Sequence, residues 1–171
     1  NMRWNHRGPG SGCNPAHHYF DGILLQEWSP EHGLLGPVEN SYCGTVLGLS
    51  EGPHVFKRGG WYYLTVAEGG TGYNHAVTMA RSRSIHGPYE THPQKHLLYA
   101  GNAPRNPLQK TGHGQYVETP DGMPYHTFLT GRPLDTPDRA CPLGRETGLA
   151  KCVWKEDGWL YLAHGGTVAN L

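Results

Sequence analysis

No stretch of this chain keeps apolar residues at i, i+3, i+4 and i+7 without a glycine or proline interrupting, so amphipathic helices are not predicted. Strands must carry the fold. The clearest hairpin is predicted from a strand over 54–57, a turn at Arg58-Gly59-Gly60 and a strand over 61–67, where paired glycines supply the positive φ of a tight turn. A third strand is predicted over 76–80. The same grammar returns at 115–119, Pro120-Asp121-Gly122 and 125–129, and again at 150–154, Glu156-Asp157-Gly158 and 159–162. A recurring strand, acidic or glycine turn and aromatic strand is the rhythm of propeller blades, whose small antiparallel sheets bury their faces against one another. A sandwich repeats in much the same way, so the pattern leaves both open. Between these elements run 8–16, 97–110 and 133–145, which lack regular pattern and are the kind of loop that carries function or packs across a face.

Composition narrows the choice of partner. The 171 residues suit one domain with a real core and are too few to expect two. With 14 basic and 14 acidic residues the net charge is zero, so no global field draws the chain to nucleic acid or to an anionic membrane. A neutral partner is expected. Gly 25 and Pro 14 make the chain rich in turns, and Tyr 10 and Trp 5 against Phe 3 make it rich in amphipathic aromatics, a balance that suits an all-β sugar-binding protein. No apolar run approaches a membrane span, and residues 1–7 contain no signal-like apolar region, which gives export no support. Cys13, Cys43, Cys141 and Cys152 show neither CxxC nor zinc-ribbon spacing, so free thiols in a reducing, cytoplasmic setting are expected.

Four places could hold chemistry. Ser50-Glu51-Gly52-Pro53-His54 puts a carboxylate at a strand entrance, able to face a central cavity or to sit exposed on a turn. Ala67-Glu68-Gly69-Gly70-Thr71 lets backbone approach a ligand, with a hydroxyl beside it; no Gly-Lys-Ser/Thr follows, which argues against a phosphate loop. Thr111-Gly112-His113-Gly114 brackets one of 12 histidines with glycines just before a strand. Leu143-Gly144-Arg145-Glu146-Thr147 offers a guanidinium that can fork onto vicinal hydroxyls or pair with a neighbouring glutamate.

These pieces, with Tyr73-Asn74-His75-Ala76, Ala80-Arg81-Ser82, Gly87-Pro88-Tyr89-Glu90, Arg105-Asn106-Pro107-Leu108-Gln109, Leu129-Thr130-Gly131-Arg132-Pro133 and Cys141-Pro142-Leu143, occur in one collinear order from Asn1 to about Gly166. Together they resemble the β-xylosidase branch of glycoside hydrolase family 43. The resemblance implies an all-β, partial β-propeller, about three blades of a five-bladed ring with its active site at the axis. It implies an inverting enzyme that releases xylose from xylo-oligosaccharides, with α-L-arabinofuranosidase activity as a related capacity. On the same ground Glu51 is the general acid, Arg145 grips sugar hydroxyls in the terminal subsite, and Thr71 neighbours the acid. His113 resembles the axial histidine, which contacts substrate and in some members a calcium ion or its water shell.

An inverting glycosidase also needs a base, about 6.5–9.5 Å from the acid with water between them. The resemblance places that Asp, and a second Asp that tunes the acid, before Asn1, and a β-sandwich after the propeller. Residues 1–171 are therefore expected to form one incomplete propeller domain. Asp21, Glu27, Glu68 and Glu118 are local carboxylates that could stand in for the base, although the family motifs place none of them at the axis. Such a chain is expected to be weakly active or inactive alone, and to associate with copies of itself or with a complementing N-terminal half through its unpaired edges. Binding xylose without cleavage, and assembly as a structural half-ring, are the alternatives.

Overall fold

The structure is a computed structural model and describes residues 22–170. Among these there is no helix, and three antiparallel sheets make up the fold. β1 (Ile23–Ser29) and β2 (Gly33–Tyr42) form a hairpin. β3 (Glu51–Arg58), β4 (Trp61–Glu68), β5 (Ala76–Ser82) and β6 (Glu90–Tyr99) form a meander paired in chain order. β7 (Gln109–Gly112), β8 (Tyr116–Glu118), β9 (Pro124–Gly131), β10 (Glu146–Trp154) and β11 (Leu160–Leu162) form the third sheet, in which β7 and β8 both pair with β9.

The expected hairpin is present: Arg58 pairs with Trp61, and Gly59 and Gly60, at φ 56 and 77, make the two-residue turn. β4 shows why its sequence is apolar on both alternations. Tyr63 packs with Val77, Leu97, Leu98, Phe128, Trp159 and Leu160 on the side of the third sheet. The residues between, Leu64 and Val66, pack with Ala80, Ile23 and Tyr42 on the side of the β1–β2 hairpin. Period-two alternation thus feeds two cores, and the middle sheet is buried on both faces. Each fully buried leucine or methionine here contributes roughly 1.5–3 kcal/mol.

Several elements depart from the sequence expectation. The β1–β2 hairpin was not foreseen, and 97–110 is not a continuous loop, because β6 runs to Tyr99 and β7 begins at Gln109. Pro93 and the positive φ of Lys95 hide β6 from a pattern search, and an edge position tolerates both. The stretch 133–145 does lie between strands, whereas 8–16 falls outside the described residues. The free-thiol expectation is corrected at Cys43, which is disulfide-bonded, while Cys141 and Cys152 are free and Cys13 lies outside the described residues. Linear spacing cannot reveal a pairing that folding creates. Burial pushes the Cys152 thiol up to about 12.

Candidate active site

Glu51 is the first residue of β3 and half-buried, opposite Ala67 of β4. The ladder slips between Glu51 and His54, because Pro53 has no N–H to give and Gly52 sits at φ 56. Gly52 has a second reason to lack a side chain: a Cβ there would stand 2.7 Å from Nε2 of His113. The imidazole of His113 therefore lies against the backbone that follows Glu51. Gly114, next to it, passes so near β9 that a Cβ would fall 1.6 Å from the carbonyl oxygen of Thr127.

Gly112 makes room for another histidine. A Cβ at Gly112 would lie 2.3 Å from the ring of His75, which is 1% exposed and has Nδ1 3.1 Å from the Lys110 carbonyl. Burial holds the His75 pKa below the usual histidine value, with Arg145 and His113 adding to the depression and the Lys110 carbonyl and Glu51 opposing it. His75 thus lies against Gly112, next to His113, whose own ring lies against Gly52, next to Glu51.

The sequence left Arg145 open to a pairing with Glu146. Instead, Arg132 takes Glu146 with two nitrogens, Nε at 2.9 Å from Oε2 and Nη2 at 2.8 Å from Oε1, while Arg145 stays exposed. Thr71 is exposed at the tip of the 69–75 loop and makes no hydrogen bond among the described residues, so the structure does not join it to Glu51. That loop is drawn tight: a Cβ at Gly69 would lie 1.9 Å from the Asn74 carbonyl oxygen.

Glu68 has no accessible surface, and its oxygens accept from Thr45 N at 2.7 Å, Thr45 Oγ1 at 2.9 Å, Ser50 Oγ at 3.0 Å and the Thr78 hydroxyl. Thr78 has spent its one proton there, so it accepts from Nδ1–H of His96 at 2.8 Å. A carboxylate so enclosed cannot hold a reactive water. It fastens the 44–50 loop that delivers Glu51 to its place. Glu118 accepts from Tyr116 and lies 3.8 Å from Arg58, at the far end of β3 and roughly 20 Å from Glu51 at the rise of a strand. Glu27 is exposed on β1, and Asp21 lies outside the described residues. Sequence reasoning missed His75 and the clamp on Glu68; the glycine flanking His113 was the available signal for the first.

The family profile for glycosyl hydrolases family 43 matches residues 2–160. The chain is 53% identical over 166 residues to the xylosidase/arabinosidase 43B of Humicola insolens, covering 96% of this chain and 29% of that protein. It is 43% identical over 173 residues to the beta-xylosidase of Bacillus subtilis, covering 96% of this chain and 31% of that one. Among solved structures, the xylan beta-1,4-xylosidase of Bacillus halodurans superposes with a TM-score of 0.87 at 50% identity, over 99% of this chain and 31% of that chain. The chain thus spans about three tenths of the length of these relatives.

Proposed function

This chain belongs to glycosyl hydrolases family 43, and from that membership we propose that it supplies the acid half of an inverting β-xylosidase acting on xylo-oligosaccharides. Glu51 protonates the leaving oxygen, and Arg145 grips hydroxyls of the terminal sugar beside it. His113 completes the rim, while Thr71, exposed on the 69–75 loop, is assigned to the same subsite from the family motif alone. The observation that carries this reading is the packing of His113 against the backbone just after Glu51, where a Cβ at Gly52 would stand 2.7 Å from its Nε2. Neutral xylose units suit a site whose chain has no net charge.

None of the described local carboxylates considered above is placed to serve as the base: Glu27 is exposed on β1, Glu68 is enclosed and Glu118 lies at the far end of β3. The three sheets then stand as about three blades of a five-bladed ring. Among the described residues no group of three or more His, Cys, Asp or Glu side chains is arranged to hold a metal ion. His113 alone offers calcium one nitrogen where it favours about six to eight oxygens, so an ion there would be weak and mostly held by water. The disulfide at Cys43 is of a kind that persists in oxidising compartments, which favours an exported setting over the cytoplasm.

A second reading, sugar binding or self-assembly without turnover, is favoured by apolar side chains left in solvent: Trp28 and Leu34 opposite each other in the hairpin, and Leu149 on β10. One experiment separates the two. In the enzyme assembled with its complementing N-terminal half, Glu51→Gln should lose most turnover of xylosides with poor leaving groups and far less with activated aryl xylosides, which need little protonation. Equal losses on both would remove Glu51 from the acid role. No turnover by the assembled wild type, with xylose binding retained, would favour the second reading.

A further inference from the structure

Six side-chain atoms among the described residues are buried without a hydrogen-bond partner, and Nε2 of His75 is one of them. Buried polar atoms seldom stay orphaned, so each asks what completes it. The others lie on Ser41, Thr65, Gln109, Thr111 and His126. The ring of His75 is distinguished from these by the company it keeps. It rests on Gly112, the residue next to His113, whose own ring lies against Gly52 beside Glu51.

The ring's other nitrogen fixes what Nε2 can do. Nδ1 faces the Lys110 carbonyl, an acceptor only, so the proton of the neutral ring sits on Nδ1 and Nε2 carries a lone pair. Its natural partner is a hydroxyl donor. Gly112 sharpens the point: a Cβ there would overlap ring carbons and Nε2 within 2.3 to 2.5 Å, so the glycine keeps the ring in one place rather than merely permitting a turn.

We propose that His75 is a positioning residue of the site, whose Nε2 accepts a hydrogen bond from a hydroxyl donor held beside Gly112 and the His113 ring. The donor is a water, which relays to the sugar, or a sugar hydroxyl itself. Because the sugar is part of this statement, it rests on the reading of the site given above. The role of Nε2 does not depend on Glu51 being the acid, and the test keeps the two apart.

Glutamine and asparagine divide the imidazole between them, since a glutamine amide reaches the place of Nε2 and an asparagine amide that of Nδ1. In the assembled enzyme, His75→Gln should keep kcat/KM for an activated aryl xyloside within about threefold of wild type. His75→Asn should lose about tenfold or more, the worth of one hydrogen bond, at a melting temperature no lower than that of the glutamine variant. The opposite order, with asparagine preserved and glutamine impaired, would reduce His75 to a strut between Lys110 and β5 and overturn the proposal. Nitrogen-15 NMR of the unsubstituted protein gives an answer even if both variants fail to fold. An Nε2 resonance showing a hydrogen bond before xylose is added identifies water, and one that moves only with xylose identifies the sugar hydroxyl. An Nε2 free in both states would also overturn the proposal. Failure of the leaving-group test with Glu51→Gln, alongside the expected glutamine and asparagine pattern, would discard the acid and leave His75 in place.

Discussion

The same strands end in two opposite ways. At the Arg58 and Trp61 end, large side chains fill the space between sheets. Phe56 stacks on Tyr116 at 4.3 Å, Tyr63 meets Trp154 edge-on at 4.8 Å, and the Arg81 guanidinium lies 4.4 Å from the Trp61 ring and 4.1 Å from that of Trp159. Tyr63 and Arg81 also bond the carbonyls of Gly158 and Asp157, so polar tips are satisfied as the rings pack. At the Glu51 end glycines at 52 and 112 let the imidazoles of His113 and His75 close in, and His75 keeps an orphan acceptor. One end joins the sheets through large aromatic side chains, and the other packs imidazoles against glycine backbone. On the function proposed above, stability and chemistry lie at opposite ends of shared strands.

Acid should attack both ends and produce the largest change. Burial holds His92, His96 and His126 near a pKa of about 4, below the value of about 6.5 for a free histidine. His92 shows the geometry behind this: Nδ1 accepts from Gln94 N and Nε2–H donates to the Leu160 carbonyl, so its neutral form is fully bonded. Between 6.5 and 4 the unfolded chain binds protons that the folded chain refuses. Stability is therefore complete above 6.5 and falls as pH drops toward 4, by on the order of 1.4 kcal/mol per histidine per pH unit, or about 4 kcal/mol per unit for three. Urea unfolding at pH 7, 6 and 5 measures it, and a flat midpoint would show these rings to be accessible to protons. Tryptophan fluorescence, reporting on the aromatic end, should lose its native signal together with the rest if the strands unfold as one.

Trp159→Ala tests the aromatic end alone. Trp159 is 3% exposed and touches Arg81, His92 and Tyr63, so its removal should cost about 3–5 kcal/mol. Xylose affinity per folded molecule should not change, because none of these contacts reaches the Glu51 end. Calorimetric binding under strongly native conditions checks this. A large affinity loss would mean that the two ends are coupled and that the division drawn above is wrong.

How much of this could be seen in the sequence follows the same division. The turn at Gly59-Gly60 and the aromatic strands were legible because their signals are local: adjacent glycines, alternating apolar residues. β6 was not, since its apolar residues are confined to Leu97 and Leu98 at one end and Pro93 interrupts the rest. At the site, Glu51 and His113 stood out by their glycine neighbours. Glu68 looked like a spare carboxylate, and nothing nearby in the chain shows that Thr45, Ser50 and Thr78 close on it. His75 was one histidine among 12 until Gly112, distant in the chain, was seen beneath it. Residues whose meaning depends on partners brought in by folding are silent in a linear reading.

A matched pair of glycines makes the finest test of the two ends. Gly52, the second residue of β3, and Gly59, just past its end, share a φ of 56, a left-handed backbone that costs any other L-residue roughly 1–2 kcal/mol. Their surroundings differ. A Cβ at Gly59 meets nothing within 4 Å, whereas one at Gly52 would stand 2.7 Å from Nε2 and 3.0 Å from Cε1 of His113. Gly59→Ala and Gly52→Ala should therefore share the backbone penalty, read as similar downward shifts of the urea midpoint. His113 is half-buried and follows a glycine, so its ring can swing aside, which keeps the extra stability loss at Gly52 small. Its position against Glu51 would nevertheless be gone. Xylose affinity and xyloside turnover should fall with Gly52→Ala and stay at the wild-type level with Gly59→Ala. If the two variants lose stability alike and neither loses affinity, then His113 is part of the scaffold, and sugar binding at the Glu51 end does not depend on that ring.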